Sequence, residues 1–293
     1  MIEQIERKPS LPLWARIVLV MILFLIMTGI FQVIGVLIAG LSLTDPSAME
    51  NMGMREQLIL QFSGFIGTAL VVFLFRKYID RKSIKSIGFS FNNRFKDIGL
   101  GFIYAVIILG LGSLILWVTG SVEFKYLELN ILSIFMSFLL FIVVSLNEEI
   151  FVRGYLLNNL MTGMNKFWAL LLSAVIFTSL HLLNPNLSVL GVTNLLLAGI
   201  LLGASYIYTK NLWFPISLHL FWNFLQGPIF GYSVSGQNIK SLFTVELVGN
   251  ETLNGGEFGF EGSLLCTIML IISIASIIVY YRKKELKAQV ISL

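Results

Sequence analysis

FWALLLSAVIFTSLHLLNPNLSVLGVTNLLLAGILLGASYIYT, residues 167–209, is a run of 43 consecutive residues without Lys, Arg, Asp or Glu. A helix needs about 20 apolar residues to cross a hydrocarbon core of about 30 Å, so the run is too long for one span and long enough for two. Asn184-Pro185-Asn186 is the natural break between them. One of the chain's two histidines, His181, lies within it. An ionisable group in membrane sequence is a functional candidate, because a charge at a helix centre costs about 2.5–3.5 kcal/mol by insertion scales.

The rest of the chain has the same character. Of its 293 residues 57% are hydrophobic and 12% charged, and the mean hydropathy is +0.87, outside the range of a soluble globular domain. The expected fold is an all-α membrane protein, a bundle of about eight transmembrane helices around a buried polar cavity. Besides the two spans of the opening run, apolar stretches extend over Ile17–Leu43, Gln57–Phe75, Ile98–Thr119, Ile131 to about Leu160, Leu212–Phe230 and Ser263–Tyr281. Residues 17–281 thus read as one integral domain between tails at 1–16 and 282–293. The single Cys266 excludes an internal disulfide and a multi-cysteine metal site.

Charge gives the orientation. With the N-terminus inside, all of the 20 Lys and Arg except Arg55, Lys125 and Lys240 fall on the inner side, many of them in the basic connection Arg76–Asp97. The expectation is a multi-pass plasma-membrane protein with both termini cytoplasmic; the net charge of +4 then reflects topology and not a nucleic-acid partner. The Gly-rich segment Gly231–Gly262 carries Glu246, Glu251, Glu257 and Glu261 against Lys240 alone, and reads as an external loop folded back over the bundle.

Three polar clusters stand in the apolar sequence: Glu148-Glu149-Ile-Phe-Val-Arg153, Phe177-Thr-Ser-Leu-His181 and His219-Leu-Phe-Trp-Asn223. Glu149 and Arg153 are four apart and share a helix face, while Glu148 is turned about 100° away. Pairing Glu149 with Arg153 reduces the cost of burying both and leaves Glu148 facing the interior as the candidate general base. The helix of Glu148 and the next one form a hairpin turning near Gly163–Lys166. Glu148 and His181 then each lie about 22 Å along their helices from that turn, at matching depth. His219 and Asn223, again four apart, share a face and begin about 13 Å in from Lys210.

Two hydrolytic chemistries fit these side chains. In one, Glu148 and His181 activate a water while His219 and Asn223 donate hydrogen bonds to the oxyanion. In the other, His181, His219 and Glu148 hold a zinc ion that activates the water. The sequence does not separate them, although the metal-free route accounts more directly for Asn223. A serine or cysteine nucleophile is disfavoured, since Cys266 is remote from the clusters and no serine has a nucleophile-elbow signature.

Glu-Glu-x-x-x-Arg, Phe-x-x-x-His and His-x-x-x-Asn, in this order on successive apolar helices, resemble the three motifs of the CPBP family, intramembrane proteases related to the CAAX-processing type II endopeptidase. The resemblance covers about Ile131–Phe230, Phe258-Gly-Phe-Glu-Gly262 is similar to bacterial members, and together they imply a family-like core over about 98–281. It implies that Glu148 activates water with Glu149 and Arg153 in support, that His181 is the partner base, and that His219 and Asn223 form the oxyanion or metal site. The implied partner is a membrane-associated peptide or protein substrate in the lipid bilayer.

Each cluster also has an ordinary explanation: a structural ion pair, packed histidines, Phe177 as a packing residue on the His181 face, Asn223 as interhelical glue. Both histidines falling at motif spacing weighs against all of these together. The alternative from another class is a non-catalytic scaffold or regulator acting through envelope partner proteins. A transporter is disfavoured, because paired interrupted helices are lacking.

Overall fold

The computed structural model describes residues 8–45, 52–126 and 129–291, with side chains described to residue 287. The expected tails at 1–16 and 282–293 therefore lie in part outside the described residues. Counting each continuous helical run once, and leaving aside single turns, the described residues form eight helices. These are α1 (Leu13–Ile38), α2 (Met54–Ile79), α3 (Phe95–Val118), α4 (Ile131–Leu160), α5 (Lys166–Ser179), α6 (Val189–Thr209), α7 (Trp213–Phe224, continued by the wider turn Leu225–Ile229) and α8 (Leu264–Ile291). The all-α membrane bundle is present. Six of the eight helices are long and apolar enough to cross a membrane.

The two that fall short are α5 and α7. At 14 residues α5 is only about 21 Å long. It stops at Ser179, five residues before the expected break, and the chain turns through 180–188 before Ser188 caps α6 by accepting a hydrogen bond from Gly191 N–H (3.0 Å). His181 consequently sits just past a helix end, not within a span. The apolar run does not reveal this, because Leu180, Leu182 and Leu183 continue the hydropathy of the helix into the turn.

Helix α1 begins at Leu13, four residues before the expected Ile17, and takes in Arg16. The reason is a buried polar cluster that joins the ends of three helices. Arg16 donates to Asp80 Oδ1 (2.8 Å) and Asn159 Oδ1 (2.7 Å), and Arg76 donates to Asp80 Oδ2 (3.1 Å) and Asn158 Oδ1 (3.0 Å). Arg76, read from sequence as part of the basic connection, is only 2% exposed. At the other chain end α8 continues past the expected Tyr281, so the residues read as a C-terminal tail are helical to Ile291.

Packing orders the bundle around α4. Helix α2 lies between α1 and α4, α7 between α3 and α4, and α6 between α5 and α8. The α1–α2 contact is backbone-close: a Cβ at Gly67 would lie 2.8 Å from the Met27 carbonyl oxygen, the small-residue packing that membrane helices favour. Outward, α1 presents Leu25, Ile26, Ile30 and Ile34 to the surroundings, as a lipid-facing helix does.

Two short strands add to the bundle. β1 (Val122–Tyr126) pairs antiparallel with β2 (Phe243–Leu247) in the register Val122↔Leu247 to Tyr126↔Phe243, and a Lys125–Glu246 ion pair lies across it. The Gly-rich loop does fold back over the bundle. Gly236, at φ +83°, touches the 185 turn so closely that a Cβ there would lie 2.0 Å from the Pro185 carbonyl oxygen. Glu261, read as one of the external loop's acidic residues, points inward and is 8% exposed. Its carboxylate accepts from Trp222 Nε1 (3.0 Å) and from the Ser235 N–H and hydroxyl (2.8 Å each), fastening the loop to α7.

Candidate active site

The site forms where the middle of α4 meets the end of α5 and the inner face of α7. Helix α4 widens to π-type geometry over Ile150–Leu157, directly after the glutamate pair. Such widening turns later residues part of a step around the axis and recurs at functional sites. Glu149 and Arg153 face the protein interior, both fully buried, with Arg153 Nη1 donating to Glu149 Oε1 at 2.7 Å. Arg153 Nη2 donates to the Gly199 carbonyl (3.0 Å), and its guanidinium lies 4.6 Å from the Phe177 ring centroid. Burying two charges is tolerable because each is paired and hydrogen-bonded.

Two histidines converge on the neighbouring carboxylate. His181 follows the end of α5, where the last carbonyls of the helix lack helical partners. Its Nδ1 lies 2.8 Å from the Phe177 carbonyl oxygen. A carbonyl only accepts, so Nδ1 carries the proton. His219, on α7, has its Nδ1 2.9 Å from Glu149 Oε1, which likewise accepts. Each ring therefore turns its other nitrogen toward Glu148: His181 Nε2 lies 3.7 Å and His219 Nε2 3.9 Å from Glu148 Oε2. These separations exceed hydrogen-bond length. Glu148 Oε2 is buried and has no hydrogen-bond partner.

Glu148, His181, His219 and Asn223 all line one cavity of about 970 Å³. Arg153, Glu149 and His219 are thus joined by hydrogen bonds, Glu148 lies within 4 Å of both histidines, and Asn223 joins them as a neighbour in the cavity wall. A carboxylate oxygen and two imidazole nitrogens facing one cavity are suited to holding and polarising a water. They are less suited to a metal. The atoms of a tetrahedral zinc shell stand about 3.4 Å apart, closer than either distance here. Among the described residues, no group of three or more His, Cys, Asp or Glu side chains is disposed to hold a metal ion. The described spacing is wider than a zinc shell requires.

Some participants were not legible beforehand. Phe177 does more than pack on the His181 face: its ring touches His181 (centroids 4.5 Å), stands edge-on to His219 (6.4 Å) and covers Arg153. Gly199 supplies the Arg153 acceptor at a point where a Cβ would meet Ala174 at 3.0 Å and Phe177 at 3.3 Å. A backbone carbonyl leaves no mark in sequence, although a glycine within an apolar helix was a signal of close approach. Glu261 and its partner Trp222, beside Asn223, close the far wall.

Residues 130–225 match the family model of the type II CAAX prenyl endopeptidase Rce1-like proteins. The match covers a third of the chain and contains all six candidate residues, in agreement with the resemblance to the CPBP family carried by the three motifs. A comparison with curated proteins finds no match.

Proposed function

We propose, with the Rce1-like segment as premise, that the chain is an intramembrane endopeptidase that hydrolyses a peptide bond of a membrane-associated peptide or protein through a water activated by Glu148, without a metal ion. The observation that carries this reading is the unpartnered Glu148 Oε2 between two imidazole nitrogens whose opposite nitrogens are committed to Phe177 and Glu149.

Glu148 takes a proton from the water as its oxygen adds to the scissile carbonyl carbon, and His181 Nε2 holds the water in line. The carbonyl oxygen becomes an oxyanion, which accepts from Asn223 Nδ2 and from His219 Nε2–H. That donation requires His219 as an imidazolium, a form in which Glu149 keeps its Nδ1–H bond. When the tetrahedral intermediate collapses, the C–N bond breaks and the proton held by Glu148 passes to the leaving amine. Glu149 and Arg153 position His219 and do not touch the substrate. The balance of basic residues supports an inward-facing N- and C-terminus in the plasma membrane.

A scaffold acting through envelope partners remains the reading from another class. Cells lacking the protein should accumulate an uncleaved membrane substrate, detectable by comparing membrane peptides with the unmodified strain. Full restoration by a Glu148→Ala/His181→Ala variant would overturn the protease in favour of the scaffold.

A further inference from the structure

Arg16 has more capacity to donate than the protein around it uses. Its Nη1 is taken by Asp80 Oδ1 (2.8 Å) and Asn159 Oδ1 (2.7 Å), but Nε is enclosed without a hydrogen-bond partner and Nη2 donates to no described residue. Arg76, the other guanidinium of the cluster, is occupied on all three nitrogens by Asp80, Ser86 and Asn158. Among the described residues Asp80 is the only carboxylate paired with either, and so serves two cations. One positive charge is left over, on a side chain that is 5% exposed. A charge so far from water is costly without a counterion.

The place of that charge narrows what can balance it. Arg16 is the fourth residue of α1, and helix side chains lean toward the N-terminus, so its guanidinium lies over the first turn. The free N–H groups of that turn have no side-chain cap, the residue before them is Pro12, and the turn holds no acidic residue. The positive end of the helix dipole therefore adds to the surplus guanidinium charge, as at anion-binding helix starts. At 26 residues α1 is about 39 Å long. Centred on a core of about 30 Å, it leaves roughly one turn at each end among the headgroups, with Arg16 at the boundary. Trp14, exposed in the same turn, is a residue type that this boundary favours. Leu19 and Leu23, three and seven residues on from Arg16, share its face and are exposed toward the middle of the membrane.

We infer that Arg16 Nη2 and the first turn of α1 bind the phosphate of an anionic phospholipid whose acyl chains run along Leu19 and Leu23. A lipid of net negative charge balances the cluster. A zwitterionic lipid brings its own ammonium and balances it only in part, and inorganic phosphate leaves the leucine face uncovered. Nothing in this site depends on the protease reading.

The full chain in detergent, mixed with phosphatidylglycerol or phosphatidylcholine and weighed by native mass spectrometry, provides the test. One phosphatidylglycerol per chain should be retained at least fivefold more tightly than phosphatidylcholine, and inorganic phosphate should not displace it. Arg16→Lys keeps a cation for Asp80 but has no second edge to offer, and should erase most of the preference. Lys77→Gln, which removes an exposed charge from the same end of α2, should leave it intact. Equal retention of the two lipids by the unsubstituted protein would overturn the inference without reference to any variant. Displacement by inorganic phosphate would overturn the lipid as occupant. An undiminished preference in Arg16→Lys, or its loss in Lys77→Gln, would show that general surface charge and not this site selects the lipid.

Discussion

Replacing Glu149 by Gln leaves the shape of α4 nearly unchanged and removes one charge from the fully buried pair with Arg153. Arg153 would keep its bond to the Gly199 carbonyl but would hold an uncompensated charge in the protein interior. Breaking a buried pair from one side costs about 3–5 kcal/mol. At roughly 2–4 °C per kcal/mol for a chain of this order of size, the unfolding midpoint in detergent should fall by about 6–20 °C. The same substitution replaces the charged acceptor that fixes His219 Nδ1 by a weaker, neutral carboxamide oxygen, so cleavage should fall as well. The double variant Glu149→Leu/Arg153→Met separates the two effects. With neither charge buried, stability should return to within about 2 kcal/mol of the starting value, while cleavage stays low because nothing orients His219. Thermal unfolding and peptide cleavage on the same preparations decide the matter. A Glu149→Gln protein with an unchanged midpoint, or a double variant with full activity, would refute the positioning role of the pair.

Chelation with EDTA or 1,10-phenanthroline should leave cleavage unchanged, and the purified protein should hold well under one metal ion per chain; loss of activity restored by zinc would refute the metal-free reading. Gly199→Ala should destabilise by about 1–3 kcal/mol, because its Cβ would press on Ala174 at 3.0 Å, and a midpoint unchanged by thermal unfolding would count against this packing. Glu261→Ala removes the acceptor of Trp222 and Ser235, so amide hydrogen exchange across the loop 231–262 should speed up by at least tenfold, with a higher KM; exchange identical to that of the unsubstituted protein would show that the carboxylate does not fasten the loop.

The apolar helices could be read from composition because lipid requires long uncharged runs, and it does so whatever the partners of each helix. Helix ends could not be read in this way. The start of α1 is set by Arg16 reaching Asp80 and Asn159, contacts 64 and 143 residues away in sequence. The short strand β1 depends on a partner more than a hundred residues later, and five residues of mixed character give no periodic signal strong enough to expose it. Within the site, helical spacing placed Glu149 with Arg153 and separated Glu148 from both, since that geometry is local. Hairpin arithmetic brought Glu148 toward His181 at the right depth even though His181 lies beyond the helix end. The bond from His219 to Glu149, and hence which nitrogen of that imidazole carries a proton toward α4, needed the packing of α7 on α4.

Cleavage of a single peptide substrate by the Glu148→Gln protein in nanodiscs puts the whole scheme at risk. The carboxamide would be close in size to the carboxylate but could not accept the proton of the attacking water. The rate should therefore fall by about 10²–10⁴-fold, the usual contribution of a general base. The unfolding midpoint should stay within about 2 °C of the unsubstituted protein, on a scale of 2–4 °C per kcal/mol. Turnover at the full rate by a correctly folded Glu148→Gln protein would show that the water is activated elsewhere.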